Sequence, residues 1–293
     1  MTKALVLFLA AGLLPAAASA REAAFDTHVH LHRDDTSLRK YQAQLAAAGI
    51  ELSGFAAMWF GGPNQAKAGD PDAIRAGNDG IIALARKHPG MIPVATVHPY
   101  DGDAALDELA RVAAGGVRIL KIHPHTQQFD ASDPRVAALA RRAGELDMIV
   151  LLDNANILPG DSEKLFNLAV GNPKTRFIMA HMGAMNFRFW NILKAARDAE
   201  DSSGDNIRVG DNIFFDLSVT VTLAAGSPVA DEFVWTLRNV GIDQVLLGSD
   251  YPQYSLAANI AALDRLPLTA TEKQKILRDN AARLFGKPGP QRN

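Results

Sequence analysis

The chain contains no cysteine among its 293 residues, so neither a disulfide framework nor a thiolate metal site holds it, and the fold must rest on its own apolar core. It also lacks an excess of either charge, with 30 Lys+Arg against 32 Asp+Glu and a formal charge of −2. Without a Lys/Arg block there is no electrostatic footprint for nucleic acid or anionic lipid, and no nucleic-acid partner is expected. No Gly-x-Gly-x-x-Gly follows the first strand-like run, which removes the main argument for a dinucleotide-binding open sheet. The long apolar run from Ala4 to Leu14 is shorter than the ~20 residues that span a bilayer. It follows Lys3 and leads to Ala18-Ser19-Ala20, the pattern of a cleavable export signal. The expected organisation is a signal peptide over 1–20 cut near Ala20/Arg21, one domain over 21–286, and a loose tail over 287–293. The mature protein is expected to be secreted or periplasmic, with no stable membrane anchor.

What is present is an alternation. Short β-rich apolar runs at 24–28, 52–60, 91–97, 117–123, 148–153, 176–181, 213–218 and 245–249 are separated by Ala/Leu-rich, charge-studded helical segments. Runs such as Met148-Ile149-Val150-Leu151-Leu152 carry no polar alternation, as parallel strands covered on both faces require. Helix starts are marked by Asp70-Pro71, Asp133-Pro134 and Thr269 ahead of Glu272. Eight such units predict a single-domain (β/α)8 TIM barrel of the α/β class.

In such a barrel the chemistry lies where strands end. Seven of the eight histidines fall at predicted strand ends, only His88 lying on a helix. His28 and His30 share strand parity, so their imidazoles point the same way and make the start of a divalent-metal site. Trp59, His98, Lys121 with His123, Asp153, His181, Asp216 with Ser218, and Asp250 end the other strands in turn.

The order His28-x-His30, Lys121-Ile122-His123-Pro124, Ala180-His181-Met182-Gly183 and Gly248-Ser249-Asp250-Tyr251-Pro252 resembles the amidohydrolase superfamily. Within it the chain is similar to the amidohydrolase-related branch that includes aminocarboxymuconate-semialdehyde decarboxylase. The resemblance implies that His28, His30 and Asp250 bind one divalent metal, zinc first and manganese second. It implies also that Asp250 takes a proton from the attacking water and that His181 either binds the metal or serves as acid/base. One departure stands out, because this branch ends strand 5 in a histidine and this chain has Asp153. Asp153 reads either as a replacement ligand or as a hydrogen-bonded neighbour of the site.

Around that group Lys121, His123, His98, Trp59 and Arg188 are candidates for the substrate pocket. Lys121 reads as a charge partner for a substrate carboxylate or Asp153, or as an ordinary barrel ion pair. Trp59 reads as a pocket wall or as packing, and Arg188 as a clamp on an anionic substrate or as part of a subunit contact. Asp216 has the weakest claim. The leading expectation is an exported metal-dependent hydrolase in which water attacks a small-molecule amide, ester or lactone, with Asp250 as base. The alternatives are a non-oxidative decarboxylase on the same barrel and an inactive binding protein. A small-molecule partner is expected in either enzyme reading, and homo-oligomerisation is left open.

Overall fold

The computed structural model describes residues 23–32, 35–61, 64–203 and 209–286. The expected export signal and the tail lie outside the described residues. Strands β1 (Ala24–His30), β2 (Leu52–Met58), β3 (Met91–Thr96) and β4 (Ile119–Ile122) are joined in sequence order by parallel ladders. The order continues through β5 (Ile149–Asp153), β6 (Arg176–Ala180), β7 (Ile213–Asp216) and β8 (Val245–Leu246). Strand alternation sorts the side chains into two layers: Ile149 and Leu151 pack into the inner cluster, while Val150 and Leu152 join the larger outer one beneath the helices.

Each strand is followed by a helix: α1 (Asp35–Ala47), α2 (Pro71–Ala85), α3 (Asp103–Ala114), α4 (Pro134–Glu145), α5 (Asp161–Val170), α6 (Ile192–Ser203), α7 (Ala230–Val240) and α8 (Leu256–Arg265). The expected start signals are used. Asp70 caps α2 through the Ala73 N–H, Asp133 caps α4, and Thr269 forms a capping box with Glu272 ahead of the last helical run. That run ends at Phe285, whose ring stacks on Phe25 at 5.4 Å and plugs the lower end of the barrel. A cavity opens at the upper, C-terminal ends of the strands.

β8 returns to β1 through three hydrogen bonds: Thr27 N–H to Leu247 O at 3.1 Å, Asp250 N–H to His28 O at 2.8 Å and His30 N–H to Tyr251 O at 2.8 Å. This seam closes the sheet and seats Asp250 beside the β1 histidines. One stretch departs from the sequence expectation. A helix is predicted from about residue 189, but residues His181–Asn191 form short 3-10 turns and α6 begins at Ile192. Burial explains it, because Phe187 and Trp190 are fully enclosed and the Trp190 indole donates to Asn154 Oδ1 at 3.2 Å, which ties the segment over β5. Among the described residues no helix is long and apolar enough to cross a membrane.

Candidate metal centre and active site

β1 presents His28 and His30 on one side, as their spacing requires. His28 Nδ1 lies 2.7 Å from Asp216 Oδ2, and His30 Nδ1 lies 2.6 Å from the Phe60 carbonyl oxygen. The Phe60 carbonyl can only accept, and an ionised Asp216 likewise, so each δ nitrogen donates and each ε nitrogen turns a lone pair inward. The ε nitrogens are 3.0 Å apart, and Asp250 Oδ1 stands 3.7 Å from that of His28 and 3.4 Å from that of His30. Three lone-pair donors so close repel one another unless a cation lies among them. Ligand bonds of about 2.0–2.2 Å to imidazole nitrogen and carboxylate oxygen match these separations, so the donor set fits a divalent ion. Burial, reinforced by the Lys121 charge, pushes His28 well below the usual imidazole range and keeps it neutral. Burial alone would raise the Asp250 carboxyl, but the imidazoles around it, His181 among them, lower it.

The backbone is bent to deliver these groups. His181, Met182, Ala184, Val219 and Asp250 all hold positive φ, from +45° to +69°, a conformation that costs a non-glycine residue about 1–3 kcal/mol. Gly248 is required by contact: a Cβ there would lie 2.6 Å from Asp216 Oδ1 and 2.7 Å from the His28 Cβ. Under the site, the buried Asp26 accepts from the Tyr41 hydroxyl at 2.8 Å and from the Ser249 N–H at 2.8 Å, and burial pushes its carboxyl up to about 6. Asp216 has a larger part than its sequence position suggested. Besides His28 it accepts from the Ser218 N–H and hydroxyl at 2.9 and 2.7 Å, which fixes the His28 ring and its tautomer. Asp216→Asn is expected to weaken metal affinity about 10–100-fold, read by competition with a chromogenic chelator; an unchanged affinity would remove this role.

Asp153, read as either a ligand or a hydrogen-bonded neighbour, pairs with two histidines of the site. Its Oδ2 lies 3.2 Å from His181 Nε2 and 3.3 Å from His123 Nε2, and among the described residues the group whose ligand atoms all lie within 4.8 Å is His28, His30 and Asp250. His181 Nδ1 is 3.1 Å from the Ser218 carbonyl oxygen. The Ser218 hydroxyl lies equally close but gives its hydrogen to Asp216, so a carbonyl and a carboxylate that both accept favour an imidazolium with both His181 nitrogens donating. Burial would lower its pKa, but the Asp153 charge and hydrogen bond outweigh that and raise it to about 9. The same pairing takes the Asp153 carboxyl well below its usual range, against the effect of its burial. His123 is held neutral, pulled down to about 4 chiefly by burial.

His30, His123, Asp153, His181 and Asp250 line a cavity of about 470 Å³ at the barrel mouth, with Phe60 as an apolar wall. Four other pocket candidates fall elsewhere. Lys121 is fully buried beneath the floor, its Nζ 3.3 Å from His28 Nε2, and so faces the ligand group and not the substrate cavity. Trp59 points outward onto Gly80 of α2, because Ala56, Met58 and Phe60 share the inner parity and Trp59 the outer. His98 is consumed structurally, its Nε2 donating to Gln127 O at 2.7 Å and its Nδ1 accepting from the Tyr100 N–H at 3.1 Å. Arg188 is exposed and paired with Glu232 of α7 at 2.6 Å. The sequence reading missed Phe60, although counting alternate residues along β2 selects it over Trp59. It also missed Tyr254 and Gln253, which follow the seam and carry no signal of their own.

The sequence model of the family described as amidohydrolase matches residues 25–287. No curated protein matches the chain. Among solved structures, 5-carboxyvanillate decarboxylase from Sphingomonas paucimobilis superposes with a TM-score of 0.68 at 15% identity, covering 90% of this chain and 98% of its own. A 2,6-dihydroxybenzoate decarboxylase from Rhizobium gives 0.66 at 18% identity, with 90% and 99% covered. 5-Carboxyvanillate decarboxylase from Novosphingobium aromaticivorans, complexed with manganese and 4-hydroxy-3-methoxy-5-nitrobenzoic acid, gives 0.68 at 18% identity, with 91% and 97% covered. At such identities the likeness to these structures is one of fold.

Proposed function

The chain belongs to the amidohydrolase family, and we propose that within it the protein is a metal-dependent, non-oxidative decarboxylase of a small carboxylated substrate. The observation that carries this reading is the His181 imidazolium, held charged between Asp153 and the Ser218 carbonyl in the cavity wall. Decarboxylation exchanges carbon dioxide for a proton: the C–C bond breaks, its electron pair stays on the substrate carbon, and that carbon takes a proton. His181 is loaded to give that proton, whereas attack by water calls first for a proton acceptor. The decarboxylases of similar fold support the choice, and their names suggest a hydroxylated aromatic acid as the substrate class. His28, His30 and Asp250 would hold the divalent ion, which would supply Lewis acidity toward a substrate oxygen. Two imidazoles and a carboxylate suit Mn2+ or Zn2+, and manganese accompanies one of the decarboxylases of similar fold.

The hydrolytic reading rests on Asp250, which is kept ionised beside the cavity and could accept a proton from water. The two are separated by running the Mn2+-loaded protein with hydroxybenzoates in D2O. Release of carbon dioxide, with one deuterium at the carbon that lost it, supports decarboxylation. Hydrolysis of lactones or amides without carbon dioxide release from any carboxylate would overturn it. We also place the mature protein outside the cytoplasm, on the character of residues 1–20. Intact mass of secreted protein should match a chain starting at Arg21, and retained Met1 would refute it.

A charged His181 gives the reaction a basic limb. The proton is present below its pKa and lost above it, so kcat should fall as pH rises through about 9. Asp153→Asn removes the stabilising charge and should move that limb down toward the ordinary imidazole value of 6.5. The pair's contribution to folding follows the same sign, complete below 6.5 and lost as pH climbs through about 9. A limb unmoved in Asp153→Asn would mean that another group supplies the proton.

A further inference from the structure

The catalytic cavity borders a second depression. Ala155 and Ala184 line both the cavity and a groove of about 560 Å³ that crosses the loops following β5 and β6. Neither alanine has a side chain beyond its Cβ, so the boundary the two spaces share carries little bulk. The groove is walled by Asn156, Pro159, Glu163, Met185 and Asn186, and Glu163 is its one charged wall. Large apolar side chains stand open on these same two loops: Ile157, which also lines the cavity, Leu158 and Met185 are 52%, 53% and 46% exposed. Of these, Ile157 at the catalytic cavity and Met185 in the groove leave apolar surface unmet on either side of the boundary. Asn156 and Ala184 hold φ of +52° and +48°, so the backbone keeps an uncommon shape on both loops where the spaces join.

We infer that this groove binds an uncharged, apolar extension of the substrate, while the substrate's carboxylate lies in the catalytic cavity. The inference rests on the decarboxylase reading and adds to it the shape of the molecule: a monocarboxylate with an apolar arm, long enough to pass Ala155 and Ala184. Three features define the arm. The exposed Ile157 and Met185 favour hydrocarbon, because water leaves both surfaces when they meet. Glu163 disfavours a second carboxylate at the distal end by like-charge repulsion. The narrow residues at the junction favour a chain or flat ring over a branched group.

The test is binding, read by calorimetry on Mn2+-loaded protein with benzoate and 4-hexylbenzoate. Native protein should hold 4-hexylbenzoate at least about tenfold tighter than benzoate, as partial burial of six methylene-type carbons requires. Met185→Glu puts a charge into the groove, and Asn186→Glu adds one on its wall; both positions lie outside the catalytic cavity, the ligand group and the His181 pair. Each variant should bind benzoate as the native protein does and lose most of the hexyl gain. Equal affinity for the two probes, or a gain that survives both substitutions, would overturn the groove and leave the decarboxylase reading standing. A benzoate that fails to bind would overturn the carboxylate reading and this inference with it. Dissociation of an oligomer in Met185→Glu with the hexyl gain intact would assign the exposed side chains to a contact between copies, and would likewise overturn the proposal.

Discussion

His181→Gln should lower kcat by about 10³-fold while leaving the bound metal in place, since a positioned acid or base contributes about 10²–10⁴-fold. The substitution is chosen because glutamine keeps an N–H for the Asp153 carboxylate, which otherwise would lose a partner 3.2 Å away and stand buried with His123 and the Ala155 N–H as its remaining hydrogen-bond partners. Metal retention follows from geometry, because His181 lies outside the three-donor group of His28, His30 and Asp250. The informative pattern is a fall in kcat with KM nearly unchanged, together with a metal content equal to that of the native protein. A loss of less than tenfold would transfer proton delivery to Asp250 or His123. Loss of metal in the same variant would mean that His181 is a ligand after all.

His28→Ala is expected to abolish metal binding at micromolar concentrations, a fall of more than about 100-fold in affinity that exceeds what loss of a supporting partner causes. Two effects act together. One of three donors disappears, and Asp216 loses the imidazole it holds at 2.7 Å, leaving a fully buried carboxylate with only the Ser218 donors. Activity should fall to background, and elemental analysis after dialysis should find well under one ion per ten chains. Because removing a buried ring also costs packing, His28→Gln serves as the companion: it fills most of the space and should fold, yet still fail to retain the ion. Near-stoichiometric metal in either variant would move the centre away from β1.

The convergence of His28, His30 and Asp250 was legible in the sequence because it follows from strand parity and strand ends, both of which are local. His28 and His30 are two residues apart on one strand, and Asp250 follows the last apolar run directly. What Asp153 does was illegible for a physical reason: a carboxylate at a strand end reaches either the centre or the next strand, and the choice depends on the His181 backbone, whose φ of +62° swings its ring toward β5. Asp216 was undervalued because its value lies in a bond to β1, 188 positions away. Arg188 was misplaced since the segment after β6 coils through 3-10 turns before α6, and no periodicity predicts where such a segment sends a side chain. Trp59 is a different case: its outward parity was available from β2 and was outweighed by the attraction of an aromatic at a strand end.

The seam between β8 and β1 also sets the order of events during folding. The Ser249 N–H meets the Asp26 carboxylate across 223 positions of chain, and Asp250 joins His28 and His30 only when that contact is made. Contacts of such separation form late, because the intervening chain must be ordered first. An ion therefore finds its full set of donors only after synthesis of the last strand, and it cannot template the earlier units. Once bound, it ties the first strand to the last, so the amide protons of His30 and Asp250 should exchange with solvent more slowly in loaded than in metal-free protein, while those of β4 and β5 change little.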